Sequence, residues 1–100
     1  LCAGDPGMRV GILTVRLEVS WSRSLKDKRS VLVSLRDRIR QRFNVSVIES
    51  GLQDNCRMIE LSVAAIALSP AYADEILEAV NRFIETATDA VVFTSIKEIR

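Results

Sequence analysis

The chain has 100 residues, 48% of them hydrophobic and 27% charged, with a formal net charge of +1 and no histidine. That length suits one domain with a real core, and the lack of histidine removes the commonest general base and metal ligand. Two cysteines, Cys2 and Cys56, make neither a disulfide framework nor a zinc-ligand spacing, and no apolar run reaches the roughly eighteen residues of a membrane span, so a reduced, cytoplasmic protein is expected.

The opening residues 1–7, LCAGDPG, show no periodicity and are too short and polar for a signal peptide. They read as a disordered start, either a cloning remnant or an upstream extension, with Met8 as the natural beginning. Residues 9–21 then alternate. Leu13, Val15, Leu17, Val19 and Trp21 point one way and Thr14, Arg16 and Glu18 the other, which predicts a half-buried strand.

After a turn at Ser22-Arg23, residues 24–43 carry the strongest helix signal of the chain. Ser24 is a natural N-cap, and Asp27 three residues on completes a capping-box-like pair. Leu32, Leu35, Ile39 and Phe43 recur at spacings of three and four and line one face. Arg29, Val33, Arg36 and Arg40 form one flank of that stripe, Arg38 and Arg42 with Val31 the other, and Ser30, Ser34, Asp37 and Gln41 face outward.

Residues 44–49 predict a second strand, ended by Ser50-Gly51, and residues 52–55 a polar hairpin loop around Gln53 and Asp54. Residues 57–68 form a third strand with Ile59, Leu61, Val63, Ala65 and Ala67 on one face. Ser69 as N-cap and Pro70 at the first helical position open a second helix, whose inner face holds Ile76, Leu77, Val80, Phe83, Ile84 and Ala87. Residues 91–99 close the chain as a fourth strand.

The order βαββαβ is that of the ferredoxin-like α+β sandwich, a four-stranded antiparallel sheet with two helices on one face, here a single domain over residues 8–100. The two most apolar strands, the first and third, take its centre. This topology predicts that residues 22–28 lie beside residues 51–55. It also predicts that Val10, Ile12, Ile66 and Leu68 gather on the face without helices, where an apolar cluster usually meets a partner.

The words SLKDKR (residues 24–29), RFNVSV (residues 42–47) and Gln53-Asp54, in this order and spacing, resemble the YlxP-like family, bacterial domains of unknown function, over residues 8–100. The resemblance implies a single ferredoxin-like domain, in agreement with the pattern above. Members are often encoded beside translation and ribosome-maturation factors, which implies work on RNA or ribosomes. The chain departs from the family after Gln53-Asp54, where Asn55-Cys56-Arg57 replaces an aromatic residue and a further Gln or Arg. The resemblance transfers no catalytic residue.

Charge is unevenly spread. Residues 23–42 hold eight cations against Asp27 and Asp37, and residues 70–89 hold Arg82 against five acids. Such polarity steers acidic partners to one side. The helix arginines carry two readings: complementing the helix dipole while their stems cover the core edge, or contacting phosphate with a planar fork. For the second, the expected nucleic-acid or anion contacts are Arg23, Ser24, Lys26, Lys28, Arg29, Arg36 and Arg40, with RNA or a ribosomal subunit as partner.

At the hairpin, Gln53 and Asp54 are the loop candidates, Asp54 as a partner for Lys28 in a salt-bridge network. Cys56 reads as a small buried or half-buried thiol. The central strands expose Thr14, Arg16, Glu18, Glu60, Ser62 and Ala64, and of the five aromatics Phe43, Phe83 and Trp21 are assigned to the core. The sheet is therefore no base-stacking platform, and RNA would be met through the first helix. The rival expectation is a homodimer or larger homo-oligomer burying Val10, Ile12, Ile66 and Leu68. No catalytic residue, metal, cofactor or membrane partner is expected.

Overall fold

A computed structural model describes residues 7–100. Apart from Gly7, the expected disordered start falls outside the described residues, as does Cys2. The elements are β1 (Arg9–Glu18), α1 (Leu25–Arg42), β2 (Ser46–Gly51), β3 (Met58–Ala67), α2 (Pro70–Ala87) and β4 (Val91–Ile99). The strands form one antiparallel sheet in the order β2-β3-β1-β4, so β1 and β3 hold the centre of the expected ferredoxin-like α+β arrangement.

Alternation builds the core. The cross-strand pairs Leu13↔Val63, Val15↔Leu61 and Leu17↔Ile59 face the helices and are wholly buried. Onto them pack Leu32, Leu35 and Ile39 of α1 and Leu77, Val80 and Ile84 of α2. Burying each such side chain contributes about 1.5–3 kcal/mol relative to leaving it exposed. Gly11 also lies on this face, where a Cβ would come within 3.0 Å of Leu77 Cδ1 and 3.4 Å of Ala73 Cβ. The missing side chain lets the first turns of α2 settle close to β1.

The first strand ends earlier than its alternation predicts. Val19 is still buried and donates its N–H to Arg57 O at 2.7 Å, but Ser22 N then bonds to Val19 O at 3.1 Å and closes a turn. The turn breaks the two-residue period, so Trp21 leaves the core side and is 51% exposed. Its expected core position is thereby corrected.

The second strand is displaced toward the hairpin. It runs through Gly51, across a register shift between Glu49 and Gly51. A Cβ at Gly51 would collide with the Glu60 carboxylate, so glycine suits the bulge. Leu52 follows at φ 58, in the left-handed region, and Asn55 N bonds back to Leu52 O at 3.0 Å. The Asn55 Oδ1 atom accepts from Arg57 N and Met58 N at 2.9 Å each, launching β3.

Candidate nucleic-acid interface

The α1 N-terminus is capped by its own residues. Ser24 Oγ accepts from Asp27 N at 3.1 Å, and Asp27 Oδ2 accepts from Arg23 N at 3.0 Å. Ser24 thus serves as a cap that already engages one of the helix's free N–H groups. Arg23 and Lys26 project from this end into solvent.

Lys28 behaves differently from its charged neighbours. It falls on the stripe of Leu32, Leu35 and Ile39 and is only 2% exposed. Its Nζ donates to Leu52 O at 2.7 Å and to Gln53 O at 3.3 Å, and lies 3.3 Å from Glu49 Oε2. Two carbonyls therefore accept hydrogen bonds from the ammonium, while Glu49 Oε2 meets it only as an ion pair and is itself buried without a hydrogen bond. Lys28 is consequently no surface phosphate contact, because its charge is directed inward onto the β2–β3 turn. Its ionic partner is Glu49, not Asp54, because Glu49 follows Val47 on the helix-facing side of β2 while Asp54 sits exposed in the turn. The expected neighbourhood of residues 22–28 and residues 51–55 is present, made by this clamp. Gln53 lines the shallow recess above it with Leu25, Arg29 and Leu32, about 10 Å³, room for about one water.

The two flanks of α1 part company. On the β2 side, Arg29, Arg36 and Arg40 follow one another; Arg40 Nη2 donates to Val47 O at 2.9 Å and Arg36 Nε to Asp37 Oδ1 at 3.1 Å. Among the described residues the side chains of Lys26 and Arg29 have no hydrogen-bond or ionic partner. On the α2 side, Arg38 Nη1 donates to Ala87 O at 2.6 Å. The Arg38 and Arg42 guanidinium groups lie 5.6 and 5.2 Å from the Phe83 ring centre, and that ring meets Phe43 edge-on at 5.7 Å. Such stacking on an aromatic face holds a guanidinium in place without neutralising it.

Trp21 was missed as a surface residue. Its signal was present in the neighbouring Ser20 and Ser22, which mark a turn and so a loss of alternation. It stands beside Ser30, Ser34 and Arg38 of α1.

The opposite face of the sheet divides in two. Near one end a polar network runs from Thr14 Oγ1 to Ser62 Oγ (3.0 Å), Ser62 Oγ to Ser50 Oγ (2.7 Å) and Ser50 Oγ to Glu60 Oε2 (3.2 Å), with Arg16 Nε donating to Glu60 Oε1 at 3.2 Å. Toward the other end lie the expected Val10 and Ile12, half-buried, and Ile66 and Leu68, 71% and 74% exposed. Register adds two residues that sequence reasoning passed over. Ile48 opposite Ser62 and Ile96 opposite Thr14 share this face, 60% and 64% exposed.

The acids of α2 are partly turned away from α1. Lys97 on β4 donates to Asp74 at 2.6 Å and approaches Glu78 at 2.5 Å. Its ammonium is held above its ordinary pKa by the hydrogen bond to Asp74 first and that to Glu78 second. Among the described residues no three His, Cys, Asp or Glu side chains cluster to hold a metal, and no helix is long and apolar enough to cross a membrane. Cys56 is a half-buried free thiol.

A family model described as "Protein of unknown function (DUF503)" matches residues 10–97. The "Uncharacterized protein YlxP" of Bacillus subtilis (strain 168) is 36% identical over 63 residues, covering 63% of this chain and 68% of that protein.

Proposed function

The chain belongs to the DUF503 family of unknown function, and from that premise we propose that it is a small non-catalytic cytoplasmic protein that binds structured RNA, free or on a ribosomal surface, through α1. The contacts are Arg23, Lys26, Arg29, Arg36 and Arg40. One observation carries this reading: Lys26, Arg29, Arg36 and Arg40 stand along α1 and Arg23 just before its cap, against only Asp27 and Asp37 as acids, and Asp27 is engaged in the cap. Arginine forks arrayed on a rigid helix suit phosphate oxygens and read shape rather than sequence. The polar, aliphatic surface of the central strands supports the helix, not the sheet, as the RNA-facing element.

Titrating a structured RNA hairpin, and separately ribosomal subunits, across a salt series tests the proposal. Binding is expected to weaken steeply with salt, each phosphate contact contributing about 0.7–0.9 to the log–log slope. The Arg36→Glu/Arg40→Glu double variant is expected to abolish binding while the circular dichroism spectrum stays that of the parent. Unchanged affinity in a folded double variant would refute the assignment.

A second reading is favoured by a separate observation, the exposure of Ile48, Ile66, Leu68 and Ile96 on one sheet face. Exposed apolar surface of this kind marks contact sites, and a second copy pairing through it would form a dimer that leaves both basic helices outside. Sedimentation velocity is expected to show a concentration-dependent dimer broken by Ile66→Glu or Ile12→Glu. A monomer at high concentration would dismiss this reading without touching the first.

A further inference from the structure

Resting on the RNA reading above, we propose that the groove between α1 and α2 binds a single-stranded segment of that RNA, with Trp21 stacking on a base and Arg38, Arg42 and Arg82 holding phosphates.

Three clefts follow one another along the α1–α2 seam, sharing walls, with the Arg38–Ala87 bond crossing between the first and the second. At one end a cleft of about 320 Å³ lies between Trp21, Ser30, Ser34, Arg38, Thr88 and Asp89. Arg38 is also a wall of the next section, about 340 Å³, with Gln41, Arg42 and Phe83. Arg42 and Phe83 in turn border the last, about 330 Å³, beside Arg82 and Thr86. The small side chains of Ser30 and Ser34 keep the Trp21 end open. From Ser30 to Arg42 the helix rises about 18 Å at 1.5 Å per residue, which matches about five stacked nucleotides at roughly 3.4 Å each.

The chemistry along this path interleaves rings and cations: Trp21, Arg38, Phe83, Arg42, Arg82. Single-stranded nucleic acids are held by this combination, aromatic faces for the bases and a basic track for the backbone. Arg38 is fixed by its bond to Ala87 O and by the Phe83 ring, which leaves guanidinium N–H groups to spare. Charge agrees: the linings of the three clefts hold Arg38, Arg42 and Arg82 and one carboxylate, Asp89, which shares its cleft with Arg38, while Asp74 and Glu78 are paired with Lys97. A half-exposed indole is costly to leave in water, and a stacked base would cover it. Duplex RNA cannot serve this groove, because its bases are already stacked on one another.

Trp21 is the only tryptophan, so its fluorescence reports the groove directly. The probes are a single-stranded RNA octamer of mixed sequence, a blunt RNA duplex, and a poly-glutamate peptide of equal charge. The octamer is expected to quench Trp21 saturably. Trp21→Ala should weaken octamer binding, followed by anisotropy of a labelled strand, about tenfold or more. Trp21→Phe should restore most of it, and duplex binding should stay unchanged in both variants. No quenching by the octamer, while the duplex still binds through Arg36 and Arg40, would overturn the groove and leave the helix proposal standing. Equal quenching by poly-glutamate, or unchanged octamer affinity in Trp21→Ala, would also overturn it. Octamer binding that survives Arg36→Glu/Arg40→Glu but is lost in Trp21→Ala would support the groove and remove the β2-side flank from the RNA contact.

Discussion

The two helices invite comparison because they are built alike and used differently. Each has 18 residues, each starts from a serine whose Oγ accepts the N3 amide at 3.1 Å, and each buries four residues at the same spacing. In α2 the stripe is Ala73, Leu77, Val80 and Ile84; in α1 it is Lys28, Leu32, Leu35 and Ile39. The first position of the stripe makes the difference. Ala73 is small and sits over Gly11, so α2 begins by closing onto the sheet. Lys28 is long and charged, so α1 begins by reaching along the sheet edge to the carbonyls of the β2–β3 turn. One helix is anchored by close approach, the other by a clamp.

The strongest way to break this comparison is to remove the clamp. Lys28→Met leaves Glu49 without its ionic partner and two turn carbonyls without a donor, and is expected to lower stability by about 3 kcal/mol in urea denaturation. Adding Glu49→Gln should recover a substantial part, a coupling that a double-mutant cycle measures. Independent, additive losses would show that the ion pair plays no role.

Next in size is the contact beneath α2. Gly11→Val forces Leu77 and Ala73 off the strand and is expected to cost about 2 kcal/mol, seen as a lower thermal midpoint. A neutral result would mean that α2 shifts freely on β1.

The caps are the smallest test and ask whether the helices are alike where they look alike. Ser24→Ala and Ser69→Ala should each cost about 1 kcal/mol. Ser24→Ala should show the larger loss if the reciprocal bond from Arg23 N to Asp27 depends on the cap.

Much of this is legible in the sequence. The fourth strand runs over Val91–Ile99 as its pattern predicts, and Ser69-Pro70 marks the start of α2 as cap and first residue. Both signals are local: a cap needs an N–H three residues away, and alternation needs only the pleat. Errors came where a turn or bulge interrupted the period. The turn after Val19 sent Trp21 outward, and the bulge after Glu49 carried β2 on to Gly51. Lys28 departs from its expected surface role for another reason. Its place on the apolar stripe was visible at spacings of four, seven and eleven from Leu32, Leu35 and Ile39, but residue type outweighed position.

By itself, the sequence determined most of the side chains that face the core, Trp21 and Lys28 excepted, and which flank each arginine occupies, because helix and strand periods are properties of the local backbone. It also determined the family, through short words that survive in order. Tertiary structure alone decided what each inward or flanking group would meet. Lys28 finds carbonyls 24 and 25 residues away, and Arg38 a carbonyl 49 residues away. The same packing sets Trp21, Arg38 and Phe83 along one groove. Those meetings depend on how two helices are laid across one sheet, and no repeat in a linear chain encodes the distance between elements that touch only after folding.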